Sequence, residues 1–452
     1  MTVRRAFLFA IALPLLLLTS ARRAGAYSVL THEAVVDLTW SDSIKPLLLA
    51  RYPKLTPAEL REARAYAYGG CVIQDLGYYP FGNPLFSDLL HYVRTGDFVR
   101  SLFRNAKNAD DTAFAIGALT HYFGDTIGHP EAVNRAVAAE FPALAAKYGS
   151  NVNYAEGPHQ HVRAEFAFDV NDIVQHRLAP EAYLNHIGFK VPVPLLATAF
   201  YETYGLHLGN VLGQHRPTMR GYRFSVRSLL PRVAYAETIL YRKRMPVDNS
   251  SPELDEFNRQ IAVVAAYDHW IGYRRHAGIG TYLLAGVIYI LPKFGPLVDL
   301  KLHPPSAAAE QSYVVSMLNT VGALRNTLHA ASRSGVIPNK DLDTGDVVYP
   351  GTYSLEDFAY ADLLHEMTRT PASPIPFGIK RDLLAYFSDL SKVKYIQADP
   401  KRLAQVQADL STLRTIPTRE QEPDSPLLAD EAAEAPAPTP AAAAQPVGAA
   451  QP

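Results

Sequence analysis

His32, Asp75, His91, His121, Asp125, His129, His161 and Glu165 all lie in the first half of the chain. Their imidazole nitrogens and carboxylate oxygens are the donors that zinc and related divalent ions take. Two pairs, His121/Asp125 and His161/Glu165, stand four residues apart, which puts both members on one face of a helix. His129 follows Asp125 by the same step, so three donors share one stripe. A single histidine in a helical protein is more often packed or solvated than ligating. Here the setting favours ligation. His121 follows the apolar run AFAIGALT, where an unpaired imidazole or carboxylate is costly. A buried stripe of His, Asp and His is hard to account for without a metal ion.

Donors this scattered need several helices to bring them together, and the sequence reads as helical almost throughout. Thr56-Pro57 starts a helix over Ala58 to Ala67, a capping residue followed by proline in the first turn. Asp110 to Tyr122 has apolar residues at three- and four-residue intervals behind an acidic start, and Gly128 with Pro130 signals its end. The same period recurs over Val162 to Asp172, Leu229 to Tyr241, Glu253 to Tyr267, Gln311 to Ala330 and Leu355 to Met367. Alternating strand patterns are scarce, so the expected class is all-α. A softer boundary near residue 230 separates the donor-bearing region, 27–230, from a helical C-terminal region, 231–419. From Ala277 to Leu300 the chain is at its most apolar beyond the first residues, but Pro292 interrupts after about a dozen residues. That stretch is expected to form a buried helix followed by a turn, with an interfacial membrane contact as the sharper alternative.

The first 26 residues look like an export signal: Arg4 and Arg5, an apolar run from Ala6 to Leu18, then Ala24-Gly25-Ala26. Cleavage before Tyr27 would create a free α-amino group and place the protein outside the cytoplasm, secreted or periplasmic. Cys71 is the only cysteine, so an intramolecular disulfide is excluded; a buried structural thiol is expected. Removing the signal takes the formal charge from −1 to about −5. The tail from Glu420 onward, an Ala/Pro/Glu tract expected to be disordered, holds six of the acids and no base. The body between is near neutral. Nucleic-acid-binding modules usually carry a clear basic excess, and none is present in these totals.

Taken in order, the donor motifs resemble the zinc-dependent phospholipases C and the related single-strand-specific zinc nucleases. Tyr27-Ser28-Val29-Leu30-Thr31-His32 is similar to the family's mature N-terminus, an aromatic residue followed closely by a histidine. Asp75 in GGCVIQD falls at the early aspartate, and His91 in DLLHY follows at a suitable distance. His121-Tyr122-Phe123-Gly124-Asp125 is similar to the central His-x-x-x-Asp element, and His161-Val162-Arg163-Ala164-Glu165 to the late His-x-x-x-acid element. The short step from Asp125 to His129 resembles the branch containing glycosylphosphatidylinositol-specific phospholipase D. The resemblance implies three zinc ions. Asp75, His91, His121 and Asp125 would hold one. The Tyr27 amine and carbonyl, His32 and a bridging Asp125 would hold another, and His129, His161 and Glu165 the third.

On that footing the expected activity is phosphodiester hydrolysis, most naturally of a phospholipid head group, by a metal-activated water. Asp75 is the candidate to orient or deprotonate that water. A nuclease or nucleotidase on the same metals is the competing enzyme; a metal-stabilised, non-catalytic lipid- or surface-binding protein is the alternative from another class. His159 competes with His161, but only His161 stands four residues before Glu165. Asp169 extends the Glu165 stripe and could support a ligand. Tyr78 to Gly82 could wall the cleft or simply pack a turn.

Overall fold

A computed structural model describes residues 28–213, 215–246, 250–293, 295–330, 337–369 and 374–419. The signal segment, Tyr27 and the tail from Glu420 lie outside these residues. The helices that build and support the donor cluster are α1 (Val29–Thr39), α2 (Pro57–Gly70), α3 (Pro84–Tyr92), α4 (Ala109–Gly128) and α5 (Pro158–Val174). Further along come α6 (Leu230–Tyr241), α7 (Pro252–Tyr267), α8 (Ile279–Ile290), α9 (Ala307–Ala330) and α10 (Ser354–Arg369). Further helices, among them Thr95–Asn105, Val193–Tyr204 and Pro400–Thr415, and shorter helical turns complete the described residues. Strand among the described residues is one parallel pair, Ile375–Pro376 beside Thr418–Arg419, so the chain is all-α as its periodicity predicts.

Local chemistry sets the helix starts. Thr56 and Glu59 form a reciprocal capping box at the head of α2, with Pro57 in its first turn. Asn108 caps α4 by accepting from the Asp111 amide, and Asp110 and Asp111 face the positive end of the helix. α4 runs on to Gly128, well past Tyr122, because its burial continues. The chain does not turn away there: His129–Val133 forms a π-helical turn that leads into Asn134–Glu140. Pro130 has no N–H to return to the Thr126 carbonyl, and the wider turn accommodates it.

α2 and α4 cross with their backbones in contact. A Cβ at Gly70 would lie 2.1 Å from the Phe114 carbonyl oxygen, and one at Gly117 would lie 2.1 Å from that of Ala67. Only glycine fits at this crossing. α9 packs across α1 and α4, and α10 packs on α3. Helices from both sides of residue 230 therefore share one core, in which Phe168 of α5 stacks on Tyr313 of α9 at 4.6 Å.

α8 departs from expectation. Only Ala285 and Ile288 are buried, against α6, while Ile279, Tyr282, Leu283, Tyr289 and Ile290 face solvent. The buried-helix reading fails because hydropathy reports which residues prefer burial, not whether a neighbouring element exists to cover them. The turn after Pro292 is present as Gly295–Leu300. No described helix is long and apolar enough to cross a membrane.

Candidate metal centre

Six segments converge on one buried point. α1 presents His32; the turn Ile73–Tyr78 presents Asp75; the last turn of α3 presents His91. α4 carries His121 and Asp125, the π-helical turn carries His129, and α5 carries His161 and Glu165. Three groups of donors form, each with its ligand atoms within 4.8 Å: His32/His121/Asp125, Asp75/His91/His121 and His129/His161/Glu165. The third matches the expected division. In the other two, His121 is within reach of both His32 and the Asp75/His91 pair, rather than belonging with Asp75 and His91 alone.

Asp125 occupies the middle. Its carboxylate oxygens lie 2.9 Å from His121 Nε2, 3.3 Å from His32 Nε2, 3.6 Å from His91 Nε2 and 4.0 Å from His129 Nε2. Asp75 is 3.4 Å from His91 Nε2. Glu165 lies 2.8 Å from His161 Nε2 and 3.3 Å from His129 Nε2. Donors about 2.0–2.1 Å from a tetrahedral zinc ion stand about 3.3 Å apart, so these spacings suit donors sharing ions.

Three of the outer nitrogens are fixed by backbone. His91 Nδ1 lies 2.8 Å from the Ser87 carbonyl, His121 Nδ1 3.0 Å from that of Cys71, and His129 Nδ1 2.9 Å from that of Leu342. With each Nδ1–H donating outward, the Nε2 lone pair points inward, the arrangement metal-ligating histidines take. The close α2–α4 crossing is what brings the Cys71 carbonyl under His121. Asp169, one turn beyond Glu165, accepts from the Leu30 and Thr31 amides at 3.1 and 3.0 Å and from the Thr31 hydroxyl at 2.7 Å. It caps α1 and so holds His32 in register with α5.

Most of the inner atoms are left over from the hydrogen bonding. Asp75 Oδ1, both oxygens of Asp125, Glu165 Oε1 and the Nε2 atoms of His91, His121 and His161 are buried without an aligned hydrogen bond. Each such group costs about 1–3 kcal/mol when left unsatisfied. Divalent cations would satisfy all of them together, so the donor set fits zinc. Burial pushes the His161 imidazole well below its ordinary range, and the neighbouring His129 adds to this, which keeps its lone pair available. Burial alone would raise the Asp125 carboxyl; His121 and His129 outweigh it and hold it well below the carboxylate range.

A loop near the far end of the chain completes the enclosure, and nothing in its sequence marks it as part of the site. Besides accepting from His129, Leu342 donates its amide to the His91 carbonyl at 3.0 Å. Asp343 Oδ1 is 3.7 Å from His129 Nδ1, while Oδ2 accepts from the Tyr92 and Tyr353 hydroxyls at 2.8 and 2.6 Å. The Asp343 carbonyl accepts from Asn134 at 2.9 Å. Gly345 adopts φ +75°, and a Cβ there would lie 2.4 Å from the Thr126 carbonyl oxygen. Only glycine lets the loop sit this close to α4.

The remaining candidates take ordinary structural places. His159 is half-exposed and pairs with Asp299 at 2.8 Å. Tyr78 lies against His91, with ring centroids 5.6 Å apart, and donates to Asp88; Tyr79 packs on Tyr222, and Phe81 projects into solvent. Cys71 is buried and free, and burial pushes its thiol well above the ordinary range.

A helical domain enclosing a buried His/Asp/Glu centre fit for several metal ions is thus the class of protein defined here. A family model described as zinc dependent phospholipase C matches residues 31–213, and over this part the chain is similar to that family. No curated protein and no solved structure is similar enough to be matched. All eight described donors fall inside the matched span; Leu342, Asp343 and Gly345 lie outside it.

Proposed function

We propose that the chain is an exported, zinc-dependent phosphodiester hydrolase of the phospholipase C type, holding three ions and acting on phospholipid head groups. The convergence of eight buried donors, most of whose inner atoms lack an aligned hydrogen bond, carries this reading. Bound zinc would supply Lewis acidity and a water acidic enough to attack at neutral pH.

The chain's own residues divide the rest of the work. Asp75 and Glu165, at 4% and 3%, are the most exposed of the eight, whereas every histidine and Asp125 are at 0%. Substrate therefore approaches from the Asp75/Glu165 side. Asp75 orients the attacking water and takes its proton. Attack at phosphorus breaks the bond to the diacylglycerol oxygen, which leaves with a proton, and the head group departs as its phosphomonoester. Asp125 holds the imidazoles of four segments around one carboxylate. No side-chain nucleophile is needed; the buried Cys71 thiol donates to the Tyr68 carbonyl.

Cleavage before Tyr27 would add the new amine beside His32. The tie from Asp169 to Leu30 and Thr31 supports this, because it anchors the chain within a few residues of the cut. The near-neutral body favours a lipid over a nucleic-acid strand.

The test uses protein beginning at Tyr27. Zinc per chain is measured, and wild type and Asp75→Asn are assayed on phosphatidylcholine, phosphatidylinositol and single-stranded DNA. Two to three ions, lipid hydrolysis and at least a hundredfold loss in Asp75→Asn are expected. Fewer than two ions, or activity unchanged by the substitution, would sink the mechanism; preference for DNA would transfer it to the nucleases.

A further inference from the structure

α8 presents an apolar face that no described element covers. Ile279, Tyr282, Leu283, Tyr289 and Ile290 are each more than half exposed, and Ile271, just upstream, is 86% exposed. The helix contains no charged residue. At twelve residues it is about 18 Å long, short of the roughly 30 Å hydrocarbon core, so it is suited to lying in an interface rather than spanning it. Lys293 donates to the carbonyls of Ile288 and Leu291 and satisfies its C-terminal end.

Beside this face a cavity of about 560 Å³ opens between the end of α5, α6 and the head of α8. Arg232, Arg242, Arg274, Arg275 and His176 line it, and Glu181, 3.8 Å from Arg232, is the single acid among its lining residues. The Arg274 guanidinium donates to the His176 carbonyl, which fixes it at the wall. An apolar face flanked by concentrated arginine is complementary to an anionic bilayer. It is a poor match for a second copy, since a two-fold contact would bring the same arginines together.

We propose that α8 and this basic cavity form a docking surface for anionic phospholipid bilayers. The apolar face enters the interface, and a lipid phosphate enters the arginine cavity. The function proposed above gives the docking its purpose, but the binding is measurable without turnover.

Co-sedimentation with vesicles of phosphatidylcholine alone and of phosphatidylcholine with phosphatidylglycerol tests the proposal. Wild type is expected to partition onto the anionic vesicles at least tenfold better, and less so at high salt. Leu283→Ser and the pair Arg274→Gln/Arg275→Gln should each lose about tenfold in partitioning. Both variants should keep wild-type turnover of monomeric short-chain phosphatidylcholine, which separates docking from catalysis. Unchanged partitioning of either variant would overturn the proposal. So would a dimer of the wild type that Leu283→Ser dissociates, or anionic binding that appears only after residues 420–452 are removed. The first would assign the face to a second copy, the second to the chain's own acidic tail.

Discussion

Asp125 is the residue on which the most depends. It is within 4.0 Å of four imidazoles contributed by α1, α3, α4 and the π-helical turn. Asp125→Asn is therefore expected to reduce zinc below one ion per chain, whereas His161→Ala should remove about one and leave the rest. Metal analysis of the two purified variants checks this, and equal losses would argue against a central role. A second residue gives a pH signature away from the metal. Glu356 is buried, accepts from the Tyr386 hydroxyl, and is pushed up to about 9, by burial first and then by Asp341. Its folded value lies above its unfolded one, so its favourable contribution is complete below about 4.5 and is lost as pH rises toward 9. Glu356→Gln keeps the hydrogen bond without the titration. Its melting temperature relative to wild type should climb by several degrees between pH 5 and pH 9. Five of the donors, His121, Asp125, His129, His161 and Glu165, were legible from their four-residue spacing on helices, whereas His32, Asp75 and His91 stood out only through the resemblance to a family. Leu342 was legible in neither way: a backbone carbonyl contributes whatever its side chain, and no residue type announces it.

At the scale of elements, the sequence located several long helices, most to within a few residues, but not Val193–Tyr204 or Pro400–Thr415, nor which helices pack together. The π-helical turn was hidden because Gly128 and Pro130 ordinarily end a helix, and here they only widen it. The exposure of α8 was hidden for the reason its hydropathy was high. The loop through Gly345 is the element most open to test. Gly345→Ala puts a methyl against the Thr126 carbonyl at a positive φ, so the loop must lift from α4. Zinc affinity is expected to fall roughly ten- to a hundredfold, as for other losses of support to a metal-bound histidine. Asp343→Asn should fall in the same range while the fold is kept. Chelator competition measures both, and wild-type affinity in both would mean the loop merely covers the site.

For the whole molecule, the metal and the fold are linked. Removing the ions leaves a cluster of carboxylates and imidazoles with little to satisfy it, so chelation should lower the melting temperature by several degrees, and zinc should restore it. A melting point indifferent to chelator would mean that the cluster is stable without cations. Acid should act like chelator, because protons compete with the metal for the donor nitrogens and oxygens. The family-matched span also depends on helices C-terminal to it. Tyr313 of α9 lies 3.1 Å from the Thr31 hydroxyl and donates to Asp172, tying the α1 and α5 ends of the site together. That dependence between distant segments is a tertiary fact, which neither periodicity nor motif spacing could express.

The bond from His129 to the Leu342 carbonyl spans more than two hundred residues of chain. A polypeptide made or threaded from its N-terminus exposes all eight side-chain donors long before that carbonyl arrives. Until then the His129 ring has no fixed orientation and the third donor group is unfinished. Order of arrival thus becomes a timer. The third donor group gains its last support only once the chain has been made through Leu342, and a chain cut before it lacks the carbonyl that fixes His129.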